Sequence, residues 1–148
     1  MIIRHFEIKD IKALQKYRYP EKNDLEILSM INEWNIGNSS GRYFEMFTAS
    51  HGGQAVGEVS IYEHTEDSVG VGIYIFDPFR RKGFATSSLK FAIKKAKELN
   101  YDFIISLVEK QNYGAIKLFN KMGFSVANEF INPKGITVIT YKLSVKAK

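Results

Sequence analysis

Three cations and a glycine stand together where a strand pattern gives way to a helix pattern. Arg80, Arg81 and Lys82 are consecutive, and Gly83 comes just before an amphipathic run that opens near Phe84. The first turn of a helix leaves backbone N–H groups without intrahelical acceptors and carries partial positive charge. A glycine there has no Cβ to keep a ligand away from the backbone. The turn therefore predicts a phosphate ligand, and a diphosphate in particular.

Other reactive groups are sparse. The chain has no cysteine, which excludes disulfides and thiolate chemistry. His5, His51 and His64 lack the spacing of metal ligands, so we predict no metal site. No Gly-Lys-Ser or Gly-Lys-Thr follows the glycine turn, which argues against a nucleoside triphosphatase.

Length and composition indicate one globular domain over residues 1–148. Hydrophobic residues make up 45% and charged residues 25% of the chain, which separates it from disordered proteins. The apolar runs are too short for a bilayer and the N-terminus is no signal peptide, so we expect a cytoplasmic protein without a membrane partner. The formal charge is +5, but the lysines cluster on one helix face and at the C-terminus. That pattern is typical of a solvated face, and we predict no nucleic-acid partner.

The elements that must position the basic turn follow from periodicity and from Gly and Pro. Helices are predicted over about 11–17, 24–34, 84–100 and 112–122, the last ending at Gly123 in a left-handed conformation. Strands are predicted over 2–6, 43–49, 56–62, 69–76, 102–108, 126–131 and 137–143. The segment 102–108, DFIISLV, is apolar throughout, which predicts a strand buried on both faces.

This order predicts an α/β (α+β) fold. About seven strands form a mixed, mostly antiparallel sheet with helices on its faces. The strand–helix–strand segment from 69 to 108 should be a right-handed parallel crossover. The final strand pair could pack against a second copy, giving a homodimer.

Two segments of the chain are informative together: RRKGFA from Arg80 to Ala85, and NYGAIKLFNKMGF from Asn112 to Phe124. In these segments the chain resembles the GNAT family of N-acetyltransferases. The first matches the family's phosphate-binding pattern, Arg/Gln-x-x-Gly-x-Gly/Ala, and the second matches its signature of an Asn that opens a helix ending in Gly-Phe. The order of elements also fits this family, including a parallel strand pair that splays apart.

The resemblance implies acetyl-coenzyme A as co-substrate. The diphosphate would rest on the amides of the turn, and the pantetheine arm would pair with the preceding strand in the splayed opening. The second motif would contact the pantetheine and its sulfur end. The donor-binding residues implied in this way are Ile73, Tyr74, Ile75, Phe76, Arg80, Arg81, Lys82, Gly83, Phe84, Ala85, Thr86, Asn112, Ala115 and Phe119.

The implied activity is acetyl transfer to a primary amine of a small molecule or peptide. The acceptor itself is not identified by the sequence. Glu58 is the first candidate for the general base, with a solvent-facing structural carboxylate as the alternative and Glu109 as a second candidate. The backbone N–H of Ile75 is the candidate oxyanion donor.

The general acid has no candidate at the expected position. Many family members carry a Tyr where this chain has Phe119, and Phe cannot donate a proton. Tyr74, Tyr113 and Tyr141 lie elsewhere in the pattern, so we assign none of them. A non-catalytic coenzyme A-binding module of the same fold is therefore the alternative function.

Overall fold

The computed structural model describes residues 1–146. Its four α-helices, α1 to α4, are Ile11–Tyr17, Asp24–Trp34, Phe84–Glu98 and Tyr113–Lys121. Its strands, β1 to β9, are Ile2–His5, Asn38–Ser39, Arg42–His51, Gln54–Ala55, Gly57–Thr65, Ser68–Ile75, Phe103–Glu109, Ser125–Ile131 and Thr137–Ser144. Short 3-10 turns lie at Ile8–Asp10 and Asp77–Phe79.

The chain forms two compact units. The first unit comprises Met1–Glu63 and Gly72–Ala92, and the second comprises His64–Val71 and the chain from Ile93 onward. The prediction of a single domain over 1–148 includes residues 147 and 148, which lie outside the described residues.

In the first unit, α1 and α2 pack on a sheet in which β3 lies between β1 and β5 and β6 follows β5. The β1–β3 and β3–β5 pairs are antiparallel. Helix α2 begins with a capping box, in which the Asn23 side chain accepts from the Glu26 amide at 2.8 Å. Apolar residues at helical and strand spacing meet in the core, which includes Phe6, Leu14, Ile27, Ile31, Met46 and Phe76.

In the second unit the first residues of β6, up to Val71, are followed in the sheet by β7, β9 and β8. The β6–β7 pair is parallel and runs from Ser68↔Phe103 to Gly70↔Ile105, whereas β9 is antiparallel to both β7 and β8. Helix α4 contributes Phe119 to the core of this unit. Its ring lies 5.7 Å from the Tyr141 ring, nearly parallel to it.

The predicted fold class is confirmed: the sheet is mixed and mostly antiparallel, with one parallel pair and helices. The two-residue strands β2 and β4 and the two three-residue 3-10 turns were not predicted, because segments this short show no periodicity in the sequence. Gly123 has the predicted left-handed φ of 89°. The prediction that 102–108 is buried on both faces was wrong, since Leu107 is 54% exposed. None of the described helices is both long and apolar enough to cross a membrane.

Gly57 permits a close approach of β5 to β6 in the first unit. A Cβ at this position would lie 2.5 Å from the Tyr74 carbonyl oxygen and 3.0 Å from the Ile75 Cα. Both neighbours are backbone atoms, which cannot move away as a flexible side chain could. Gly114 in α4 is a contrasting position, because the nearest atom to its Cβ would be 3.9 Å away.

We therefore expect Gly57→Ala to destabilise the protein by on the order of 1–3 kcal/mol, because the added methyl group forces strand β6 to shift. Gly114→Ala should leave stability unchanged or raise it by up to about 1 kcal/mol, since alanine favours a helix. Urea unfolding of both variants measures the difference. Equal midpoints for the two would show that β5 and β6 do not approach as closely as described.

Candidate functional site

The basic turn after β6 exposes its backbone. Arg81 and Gly83 both have left-handed conformations, with φ of 64° and 84°. Glycine adopts this conformation without the steric cost that a Cβ imposes. A Cβ at Gly83 would have no atom within 4 Å, so the space in front of this backbone is open.

The amides that follow Gly83 are available to a ligand. Ser87 is the first residue of this helix start whose N–H has an acceptor, the Gly83 carbonyl at 3.1 Å. Among the described residues, the N–H groups of Phe84, Ala85 and Thr86 make no hydrogen bond with a partner outside α3. They stand at the positive end of a 15-residue helix. This geometry suits a phosphate group.

The three cations of the turn have different surroundings. Arg80 is held by the protein, because its Nε donates to the Ile75 carbonyl at 2.8 Å and its Nη1 lies 2.6 Å from Asp77. Arg81 and Lys82 are exposed and make no ion pair with the described residues. Arg80 therefore braces the turn, while Arg81 and Lys82 present free charge.

The end of β6 offers one backbone edge to a ligand. The Phe76 N–H donates to the Val56 carbonyl at 2.9 Å, towards β5. Since successive residues of a strand point their backbone groups to opposite edges, Ile73 and Ile75 point theirs away from β5. On that edge the Ile75 carbonyl accepts from Arg80. The Ile75 N–H lies on the same edge.

Glu58 is a buried carboxylate with two protein donors. It is 5% exposed, so the alternative of a solvent-facing carboxylate was wrong. The Nε of Arg18 donates to its Oε1 at 3.1 Å, and the Tyr19 hydroxyl donates to its Oε2 at 2.8 Å. Each carboxylate oxygen can accept a second hydrogen bond. Glu58 is thus fixed in place with acceptor capacity left.

The surroundings of Glu58 alter its two donors. Burial raises the pKa of the Tyr19 hydroxyl well above its ordinary value, and the negative charge of Glu58 adds to the effect. Burial lowers the pKa of the Arg18 guanidinium, but the Glu58 carboxylate more than offsets this and the pKa is raised overall. Tyr19 is therefore a neutral donor and Arg18 a cation at any physiological pH.

Arg18 and Tyr19 were missed by the sequence analysis. They stand at the end of α1, 40 and 39 residues from Glu58 in the chain. Neither belongs to a motif, and no local pattern links them to a carboxylate in β5. Their role emerges only when α1 packs beside that strand.

The second motif lies in the second unit. The Asn112 side chain accepts from the Ala115 amide at 3.1 Å and so caps α4, leaving its amide N–H₂ group free. Phe119 is 4% exposed and packs on Phe124 and Tyr141. Its ring is mainly a core element, with little surface left for a ligand.

The remaining predicted groups are dispersed. Glu109 ends β7 and is exposed. Tyr141 is 2% exposed, whereas Tyr113 is 75% exposed at the start of α4. Tyr74 lies under two guanidinium groups, those of Arg18 and Arg80. Within residues 1–146, no group of three or more His, Asp or Glu side chains could hold a metal ion.

The model of the acetyltransferase (GNAT) family matches residues 7–124. Salmonella typhimurium yncA, a putative acetyltransferase solved with its cofactor acetyl-CoA, has 15% identity and a TM-score of 0.77 over 100% of this chain and 95% of its own. None of the curated proteins compared matches this sequence.

Two further solved structures share the fold. A chimera of the Vibrio cholerae spermidine N-acetyltransferase SpeG has 19% identity and a TM-score of 0.81, over 98% of this chain and 96% of its own. Mycobacterium smegmatis RimJ in complex with CoA-disulfide has 14% identity and a TM-score of 0.83, over 96% and 80%. At these identities the likeness shows the fold alone.

The Tyr19–Glu58 hydrogen bond should be measurable as stability. Tyr19→Phe should cost about 1.5–3 kcal/mol, because it removes a hydrogen bond to a buried charged group. Tyr113→Phe, at an exposed ring, is the matched control and should change stability little. Chemical unfolding at pH 7 gives both values.

The pH dependence of that cost has a definite sign. Because the folded-state pKa of Tyr19 is raised, its contribution is fully present below the unfolded-state pKa of about 10 and declines only above it. The difference between the protein and Tyr19→Phe should hold from pH 6 to 9 and shrink at higher pH. A difference that shrinks already below pH 9 would contradict this assignment.

Proposed function

The chain belongs to the acetyltransferase (GNAT) family, and from this we propose that it transfers an acetyl group from acetyl-coenzyme A to a primary amine. The acceptor would be a small molecule or a peptide. The observation that carries the proposal is the open anion site at Gly83, placed directly after a strand with a free edge. A ligand with a diphosphate for the Gly83 turn and an amide-containing arm for the edge of β6 fits both features.

Donor binding divides among the predicted residues. We propose that the diphosphate lies on the amides of Arg81 to Ala85 and of Thr86, with Lys82 contributing charge. The pantetheine arm would pair with the free edge of β6 along Ile73–Phe76, where Arg80 already occupies the Ile75 carbonyl. The yncA and RimJ structures, which contain acetyl-CoA and a CoA disulfide, support a coenzyme A ligand for this fold.

The contacts of Asn112 with the pantetheine, and of Ala115 and Phe119 near its sulfur end, stay predictions from the sequence. Ala115 is the better exposed of the last two, since Phe119 is almost wholly buried.

The reaction requires a neutral amine. At pH 7 an amine with a pKa of about 10.4 is neutral in roughly one molecule of 2,500, which costs about 4–5 kcal/mol. We propose that Glu58 accepts the ammonium proton through its remaining lone pairs. The amine nitrogen then attacks the thioester carbonyl carbon, and the Ile75 N–H stabilises the oxyanion.

Collapse of the tetrahedral intermediate breaks the carbon–sulfur bond. The products are the N-acetylated amine and the coenzyme A thiolate, which takes a proton from water or from the nitrogen that has just been acylated. Phe119 cannot serve as an acid, and neither the buried Tyr141 nor the exposed Tyr113 is assigned that role. A thiolate is a tolerable leaving group, since its conjugate thiol has a pKa near 8.5.

Binding at the anion site can be tested by matched glycine variants. Acetyl-coenzyme A should raise the melting temperature, because a ligand that binds only the folded state stabilises it by mass action. Gly83→Glu should abolish the shift by adding bulk and negative charge. Gly135→Glu is the control, because Gly135 has a similar φ of 80° and equally open space at its Cβ. No shift at millimolar acetyl-coenzyme A would refute coenzyme A binding.

The role of Glu58 can be tested by its kinetics. Glu58→Gln should lower kcat roughly 10²–10⁴-fold at neutral pH and change the pH profile, since the amide cannot accept a proton. Glu63→Gln, on the same strand, is the control. Coenzyme A release is measured with polyamines, aminoglycosides, amino acids and peptide N-termini. An unchanged pH profile would exclude Glu58 as the base.

One combination of results would favour the alternative function. Stabilisation by acetyl-coenzyme A without release of coenzyme A in the presence of any amine would indicate a non-catalytic binding module. The cytoplasmic location, the homodimer and the lack of nucleic-acid and membrane partners stay predictions from the sequence.

A further inference from the structure

Arg18 is anchored to Glu58 through its Nε, with the Tyr19 side chain beside it. Its Nε donates to Glu58 at 3.1 Å, and its guanidinium carbon lies 4.0 Å from the centre of the Tyr74 ring. Its side chain is 39% exposed. Within the described residues, Nη1 and Nη2 of Arg18 make no hydrogen bond. The anchored and partly exposed guanidinium therefore keeps its two terminal donors for a ligand.

Two other arginines show how differently this chain uses the same side chain. Both terminal nitrogens of Arg4 donate hydrogen bonds to the buried Asp10 carboxylate, at 2.8 and 3.0 Å. Arg80 uses its Nε on a backbone carbonyl and its Nη1 on Asp77. Both are internal braces. Only Arg18 of the three is fixed through Nε alone, which leaves the pair of nitrogens that recognises carboxylates in bidentate fashion.

The position of Arg18 connects it to the proposed reaction. The ring that it covers belongs to Tyr74, the residue before Ile75 on β6. The carboxylate that it contacts is Glu58, the proposed base. A group bound by Arg18 is therefore close to both residues that would act on the acceptor.

We propose that Arg18 binds a carboxylate of the acetyl acceptor, so that the acceptor is an amine that also carries a carboxylate, such as a free amino acid. This inference rests on the proposed function. Charge supports it, because Arg18 and Glu58 neutralise each other and a zwitterion adds no net charge. The carboxylate of the ligand meets Arg18, and its ammonium meets the free lone pairs of Glu58. Ordering costs little, since Glu58 and Tyr74 already hold the guanidinium in place.

The test compares matched acceptors that differ in one carboxylate. Coenzyme A release is measured with phenylalanine and phenethylamine, leucine and 3-methylbutylamine, and lysine and 1,5-diaminopentane. Arg18→Lys keeps a cation beside Glu58 but removes the bidentate donor pair. It should lower kcat/KM for each amino acid roughly 10- to 100-fold more than for its decarboxylated partner, as expected for lost hydrogen bonds to a charged group, whereas any loss that acts through Glu58 falls on both members of a pair alike.

Comparing variant with wild type for each acceptor cancels the different basicities of the amines. Arg42→Lys is the matched control, because Arg42 also contacts a carboxylate through Nε, that of Glu63 at 3.3 Å. This variant should leave kcat/KM for both members of each pair unchanged.

A second measurement uses only the wild-type protein. With coenzyme A present, N-acetylphenylalanine should raise the melting temperature more than N-acetylphenethylamine, whether or not Arg18→Lys folds.

The outcomes separate this inference from the proposed function. If acetyl-coenzyme A does not shift the melting temperature, both the proposed function and the carboxylate inference are overturned. A shift together with release only for the decarboxylated amines overturns the carboxylate inference alone. Equal losses for both members of each pair also overturn it. Weaker acetyl-coenzyme A binding by Arg18→Lys would overturn it too, by showing that Arg18 contacts a phosphate of the donor.

Discussion

Strand β6 must satisfy its backbone groups with different partners along its length. Buried N–H and C=O groups are costly to leave unpaired, and a strand interior normally pairs on both edges. The parallel register with β7 covers Ser68 to Gly70. At the far end, the Phe76 amide pairs with Val56, while the carbonyl of Ile75 on the opposite edge is taken by a side chain, Arg80. The free edge that results is the feature on which a site for an extended, amide-containing ligand depends.

The basic turn follows from the same constraint. The Arg80 side chain donates back to the strand that precedes it, and in the same turn Arg81 and Gly83 have left-handed conformations. The turn leads directly into the first turn of α3, where the N–H groups before Ser87 lack an intrahelical acceptor. A single arginine thus links the end of the strand to the helix start. The open helix amides and the outer edge of β6 therefore lie within one short segment of the chain.

The two buried carboxylates Asp10 and Glu58 are each paired with an arginine, but the two arginines use different nitrogens. Asp10 receives both terminal nitrogens of Arg4 and the Glu7 amide at 2.8 Å. Glu58 receives one nitrogen of Arg18 and the Tyr19 hydroxyl. Both acids are stabilised by charged hydrogen bonds. Arg4 commits both terminal nitrogens to Asp10, whereas Arg18 commits only its Nε to Glu58 and keeps its terminal donors for another group.

The sequence by itself determined the elements and the basic turn, because both depend on neighbours a few residues apart. Apolar spacing placed the helices and the seven longer strands, and the run from Arg80 to Ala85 shows by its own order that cations and a glycine precede a helix. Tertiary structure alone decided that Glu58 is buried between Arg18 and Tyr19, about forty residues away in the chain. It also left Leu107 exposed, in spite of its apolar strand. Burial and charge pairing depend on what packs over a residue, and periodicity along the chain does not contain that information.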